Sequence, residues 1–235
     1  MPGDSGSDEL AGVLMRIATW NCAGQLESKW ASLEVLNTDL VIVQECGPDS
    51  LQTARERGWT ALWTGVSSKG LGLFARPGWG LRELHHEESW WLPARVTGPV
   101  EFTLVGFWAL TPKLAQQSYP RQATMTADWL AEMSGPLVLG GDFNSWDAPA
   151  HLRLMDTMAS QGRPSAYHRD RVCERNGEPD PTYFHLWKRD QPYHIDLLFT
   201  PAEWGLEGVQ VGRFGDYTEP RISDHVPVVA TLTPA

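Results

Sequence analysis

The stretch Pro136-Leu137-Val138-Leu139-Gly140-Gly141-Asp142-Phe143-Asn144 decides how this chain is read. Its short apolar run has the look of a buried strand, and it stops on two glycines, an acid and an amide. An α/β scaffold presents its site residues at such strand ends. The same pattern recurs on either side. Upstream, Leu14–Trp20 is followed by Asn21, and Leu40–Val43 by Gln44-Glu45. Downstream, His194-Ile195-Asp196 opens one strand and Ser223-Asp224-His225 opens the last.

Between these points the chain alternates strand-like and helix-like stretches. Strands are expected at 59–65, 70–76, 90–97 and 100–110, and late ones at 182–187, 194–200 and 225–233. Helical patterns cover 27–37, 49–57 and, longest, 116–133, while 160–181 reads as irregular. Strands dominate with helices recurring between them, so the expected class is α/β or α+β. Two packed mixed sheets with helices outside account for the strand count. Residues 1–12 are expected to be a disordered tail, and 13–235 a single domain.

Of 235 residues, 42% are hydrophobic and 20% charged, the balance of a folded domain with a substantial core. The net charge is −10, which counts against broad electrostatic attachment to duplex DNA. It leaves phosphate chemistry open, because a metal site needs carboxylates and a bound cation then supplies positive charge locally. The three cysteines form no C-x-x-C pair, so neither a disulfide framework nor a zinc site is expected. Neither a signal peptide nor an 18-residue apolar span is read in the chain. These features point to the cytoplasm, to no membrane and to a monomer.

The polar strand ends carry compatible chemistry. Asp142 and Asn144 lie two apart, so an extended segment would turn both to one side: an acceptor to polarise a water and an amide to hold an oxygen. Glu45 and Asp224 offer hard oxygens of the kind Mg²⁺ or Mn²⁺ takes. His225 offers an imidazole to a phosphate oxygen, with Asp196 on its other nitrogen. Each motif also has a plain reading as a turn, a cap or a strand-end charge. Their collection at successive strand ends favours the functional one.

Gly-Asp-Phe-Asn at 141–144, Ser-Asp-His at 223–225, Gln-Glu at 44–45 and the Asn after the first strand resemble, in that order, the endonuclease/exonuclease/phosphatase superfamily. The likeness runs from Trp20 to His225. It implies a four-layer sandwich and a divalent-metal-dependent phosphodiester hydrolase. It further implies that Glu45, Asp224 and Asn21 surround Mg²⁺ or Mn²⁺. Asp142 would orient or deprotonate the attacking water with help from Asn144, and His225 with Asp196 would steady the phosphate.

The chain departs from that pattern in one place. Many members carry a histidine at the end of the central strand, and abasic endonucleases a tyrosine; here Ala109 aligns, with Trp108 beside it. Lys113, Tyr119, Arg121, His168, His185 and His194 are the groups that could replace it. Arg121, His194 and Trp108 are carried as substrate-binding candidates. The segment 162–189 mixes Arg163, Arg169, Arg171, Arg175, Lys188 and Arg189 with Tyr167, Tyr183, Phe184 and Trp187. Such a mixture suits single-stranded nucleic acid, or else a solvated loop whose aromatics belong to the next strand. The readings are a nuclease acting on DNA, a phosphatase or phosphodiesterase of a small phosphorylated molecule, and a non-catalytic binding protein of the same fold.

Overall fold

Side chains alternate across a strand, and that alternation divides this chain into layers. The computed structural model describes residues 12–66, 68–144 and 149–235. Its first half runs β1 (Met15–Asn21), a 3₁₀ turn at Leu26–Lys29, α1 (Trp30–Glu34), β2 (Leu40–Cys46), α2 (Ser50–Glu56), β3 (Thr60–Val66), β4 (Lys69–Ala75), β5 (Gly80–Glu83), β6 (Trp91–Thr97) and β7 (Phe102–Trp108). There follow α3 (Pro112–Ala115), α4 (Tyr119–Ala131), β8 (Leu137–Asp142), α5 (Pro149–Ser160), α6 (Ala166–Arg171), β9 (Tyr183–Phe184), β10 (Pro192–Tyr193), β11 (Asp196–Phe199), β12 (Gly205–Val211), α7 (Phe214–Tyr217) and β13 (Val228–Thr233).

A six-stranded sheet has the order β12-β13-β1-β2-β4-β3, and a five-stranded sheet the order β11-β8-β7-β6-β5. Each is mixed, through a parallel β1–β2 pair in the first and a parallel β7–β8 pair in the second. On β1 and β2, Met15, Ile17, Leu40 and Ile42 enter the core between the sheets. The alternate residues Ala18, Trp20, Val41 and Val43 enter a second cluster with Leu26, Trp30 and Leu33 on the outer face. The Leu40–Val43 run of β2 is therefore apolar on both faces, the signature of burial on two sides.

Glycine lets the sheets meet closely at the centre. A Cβ on Gly140 would lie 2.8 Å from Ile42 Cδ1 and 2.5 Å from Leu198 Cδ2. At Gly141 a Cβ would stand 1.7 Å from the Phe107 carbonyl oxygen, so the residue before Asp142 must be glycine if β7 and β8 are to pair. On the far side of the second sheet, Ala127 and Leu130 of α4 with Leu154, Met155 and Met158 of α5 extend the central apolar cluster.

The two mixed sheets flanked by helices are the architecture the sequence leads one to expect. Local readings needed correction in several places. The helix expected over 27–37 is a 3₁₀ turn followed by the short α1. The segment read as irregular contains α6, opened by Ser165, whose Oγ accepts from His168 N. Six residues are too few for a helical period to show. β5 and β12 were not anticipated, since each sits at a sheet edge with partly exposed residues and no solid apolar run. The expected tail lies, but for Gly12, outside the described residues. No helix among the described residues is long and apolar enough to cross a membrane.

Candidate active site

Both sheets deliver polar residues to the same end of the sandwich. β8 ends at Asp142, and its antiparallel neighbour β11 begins at Asp196, directly opposite in register. Both carboxylates are fully buried. From the six-stranded sheet come Asn21 at the end of β1, Glu45 near the end of β2, and the Ser223–His225 segment before β13. The register of β2 against β4 shifts between Gln44 and Cys46, and Glu45 sits there with φ 62°. Such a bulge re-aims one side chain out of the alternation. Gln44 turns inward to Thr19, donating from Nε2 to Oγ1 at 3.0 Å, while Glu45 joins Asn21.

Asn21 bridges the two acids. Its Nδ2 donates to Glu45 Oε1 at 3.1 Å and to Asp142 Oδ2 at 3.0 Å, and its Oδ1 accepts from Ala23 N at 3.0 Å. Asn144 completes the frame around Asp142. Its backbone N donates to Oδ1 at 2.9 Å, and its Nδ2 reaches Oδ2 at 3.2 Å and the Ala109 carbonyl at 2.8 Å. The extended geometry anticipated for Asp142 and Asn144 is not what joins them. Asn144 is left-handed, φ 51°, and folds back over the acid as an Asx-type turn does.

His225 stands opposite. Its Nδ1 is 2.9 Å from Asp196 Oδ2, and its Nε2 is 3.9 Å from Asp142 Oδ2. The loop is fixed by Ser223, whose Oγ donates to Asn21 O at 2.6 Å and accepts from His225 N at 3.1 Å. Trp20 Nε1 donates to the His225 carbonyl at 3.2 Å. Burial acts to lower the His225 pKa, but Asp196 and Asp142 outweigh it and raise the imidazole well above its ordinary value. Burial is also the chief cause that raises the Asp142 carboxyl; Asp196 adds to the rise, and the His225 charge and the Asn21 and Asn144 donors oppose it. The proton in this buried set therefore rests first on His225.

Asp224 is half-buried at the rim. Its carboxyl is raised by burial and, in part, by the charge of Glu45, while His225 acts the other way. A hard carboxylate raised in part by the charge of a second one fits a divalent cation, which would relieve their repulsion. Deeper in, Asp142, Asp196 and His225 offer ligand atoms all within 4.8 Å of one another. Buried Asp196 Oδ1 has no hydrogen-bond partner. With His225 held protonated, the rim pair Glu45 and Asp224 is the set that fits a divalent ion. The amide of Asn21, expected as a metal ligand, has both its hydrogens and its Oδ1 engaged in orienting the acids and the loop.

Two residues gain importance that their sequence context hides. Thr182, fully buried, accepts at Oγ1 from both Ile195 N and Asp196 N at 3.0 Å, and so places the acid that holds His225. Tyr183 lays its ring against His225 with centroids 4.5 Å apart, and Tyr193 follows at 6.1 Å. Its phenol is pushed up to about 12 by burial and then by Asp224, Asp142 and Glu45. The aromatics of that segment thus divide between the site and the core.

The substitutes considered for the group missing at Ala109 fall into two sets. Ala109 is buried, and its N donates to Asp142 O at 3.0 Å. Tyr119 is half-buried and feels the Asp142 charge, and His185 Nδ1 lies 2.9 Å from Tyr183 Oη, so both are on the site's side. His168 and His194 belong to a separate cluster. His168 lies between Ser165 and Glu178, and His194 packs on Tyr167 at 4.2 Å with Nδ1 on the Asp180 carbonyl at 2.6 Å. Lys113 and Arg121 are exposed, on α3 and α4. Trp108 is 6% exposed and part of the core, so it offers a substrate no stacking face. Of the three substrate-binding candidates, His194 and Trp108 are thus structural by position.

A model of the Endonuclease/Exonuclease/phosphatase family matches residues 18–225. No curated protein matches the chain. Among solved structures, the 3'-5' exonuclease NExo of Neisseria meningitidis is similar at TM-score 0.69 and 17% identity, over 92% of this chain and 98% of that one. TDP2 of D. rerio, complexed with a single-strand DNA product, is similar at 0.70 and 16%, over 94% and 99%. A mannosyl-6-phosphatase of Bacteroides thetaiotaomicron is similar at 0.67 and 16%, over 93% and 99%. At these identities the likeness is one of fold.

Proposed function

This chain belongs to the Endonuclease/Exonuclease/phosphatase family, and we propose that it is a divalent-metal-dependent phosphodiester hydrolase, a nuclease acting on DNA as a monomer in the cytoplasm. Members of that family are hydrolases of phosphoester bonds. One observation carries the mechanistic reading: Asp142 Oδ2 is held by two amides and faces His225 Nε2 at 3.9 Å, with Asp196 behind the imidazole.

In this reading Asp142 orients a water and takes its proton as the oxygen attacks phosphorus, while Asn21 and Asn144 fix the carboxylate's angle. The bond to the leaving ester oxygen breaks, and that oxygen takes its proton from solvent. His225, kept positive by Asp196, donates from Nε2 to a phosphate oxygen and steadies the charge that develops there. Glu45, oriented by Asn21, and Asp224 would hold Mg²⁺ or Mn²⁺. Such an ion, when bound, supplies Lewis-acid polarisation of the phosphoryl group. Tyr183 against His225, with Tyr193 next to it in turn, forms an aromatic row at the site, which supports a nucleotide substrate. The free cysteines, two of them buried, suit a reducing compartment.

The second reading, a phosphatase of a small phosphorylated molecule, is favoured by the net charge of −10 and by the phosphatase among the similar folds. The experiment that separates them incubates the protein with labelled single- and double-stranded DNA, a bis-aryl phosphodiester and a phosphomonoester, each with Mg²⁺ or Mn²⁺. The nuclease reading expects DNA cleavage that chelation stops. Monoester turnover without DNA cleavage contradicts it, and activity on none, without metal binding, leaves a binding protein of this fold.

A further inference from the structure

Glu45 has a second partner on the side away from Asn21. Lys69 opens β4, which pairs with β2 across the bulge that turns Glu45 outward, and its Nζ forms an ion pair with Glu45 Oε2. Among the described residues this is the one polar contact of the Lys69 ammonium. Half of its side chain is exposed, against 23% for Glu45. A second lysine close by behaves differently. Lys29 donates to the Cys22 carbonyl at 2.6 Å, is partly buried, and feels Asp224 and Glu45 only through their charge. One cation is therefore anchored to the backbone and the other is held by the glutamate alone.

We propose that Lys69 is a resident counter-ion that holds Glu45 in place and competes with the divalent metal for the Oε2 oxygen. This rests on the reading of Glu45 as a metal ligand. A carboxylate oxygen bound by an ammonium must give up that contact to take a divalent ion, and the two cations repel once the ion is in. Lys69 has somewhere to go. It borders a cleft of about 580 Å³ lined also by Gln25, Glu27, Pro48, Asp49 and Ser68, where Glu27 and Asp49 provide other carboxylates for the displaced ammonium. In the metal-free protein the ion pair keeps Glu45 aligned and offsets its repulsion from Asp224. Lys69 is thus a positioning residue, and it sets how much metal the site needs.

The test is calorimetric titration of the whole protein with Mn²⁺ at constant pH, for the wild type, Lys69→Met and Lys69→Arg. An ion pair this exposed contributes up to about 1 kcal/mol, so Lys69→Met should bind Mn²⁺ about 2- to 5-fold more tightly. Lys69→Arg, which keeps the charge, should bind as the wild type does. The midpoint of thermal unfolding of Lys69→Met should lie below the wild type without metal and match it at saturating Mn²⁺. Unchanged or weaker Mn²⁺ binding by Lys69→Met would overturn the proposal, as would equal tightening in Lys69→Arg. If the wild type itself takes up no Mn²⁺, the metal reading of Glu45 falls and this inference with it. If the wild type binds and Lys69→Met binds no tighter, only the role of Lys69 falls.

Discussion

Asp142 Oδ2 and His225 Nε2 stand 3.9 Å apart, each buried, one on either side of the space between the two sheets' polar ends. Neither residue could be ionised there alone without a large penalty. Together, and with Asp196 bonded to the far nitrogen, they form a set in which the imidazolium is neutralised by two carboxylates.

This relationship fixes the expected pH dependence. Asp142 must be unprotonated to take a proton from water, and its pKa is raised from 3.8 to about 7. His225 must be protonated to donate to phosphate, and its pKa is raised from 6.5 to about 10. The value of kcat/KM should therefore climb as pH rises through about 7, hold, and fall as His225 loses its proton toward about 10. A profile flat from pH 5 to 9 would remove Asp142 from the role of base.

Thr182 supports the set from behind. Thr182→Val keeps the shape but leaves Ile195 N and Asp196 N without their shared acceptor. A buried donor left unsatisfied costs about 1–3 kcal/mol, which urea unfolding would register. Because Asp196 orients His225, turnover should fall further than the fraction of folded protein does. A variant as stable and as active as the wild type would show that backbone pairing alone places Asp196.

Glu45→Ala should weaken Mn²⁺ or Mg²⁺ binding in a titration, since it removes one of the two rim carboxylates. It should leave the fold intact, because Glu45 lies outside both apolar clusters. An unchanged titration curve would take Glu45 out of the metal's surroundings.

How much of this was legible beforehand depends on the span of each feature. The polar residues at 142–144 and 223–225 stand at the ends of solid apolar strands, so local order alone brings them to one end of the sheets. Ile42 and Val41 face opposite layers, and their unbroken apolar run announces a strand covered on both sides. Thr182 and Lys69 could not be found in that way, and Tyr183 only as one aromatic of a mixed segment. Their roles depend on contacts with Asp196, His225 and Glu45 that arise from sheet register and a bulge, which no local pattern records. His194 and Trp108 failed as substrate candidates for the converse reason. Each stands near a motif in sequence while its ring packs against Tyr167 or in the core.

The central claim is that Asp142 acts on the attacking water and not on the metal. Asp142→Asn keeps the size of the side chain and, with its amide oxygen at the Oδ2 position, the acceptor for the Asn21 and Asn144 Nδ2 donors. It loses the Asn144 backbone bond and the basic carboxylate. Turnover of a phosphodiester should then fall about 10²- to 10⁴-fold, the range for loss of a general base, with the Mn²⁺ titration close to wild type. A near-normal rate would contradict the account, and so would loss of metal binding in step with loss of activity.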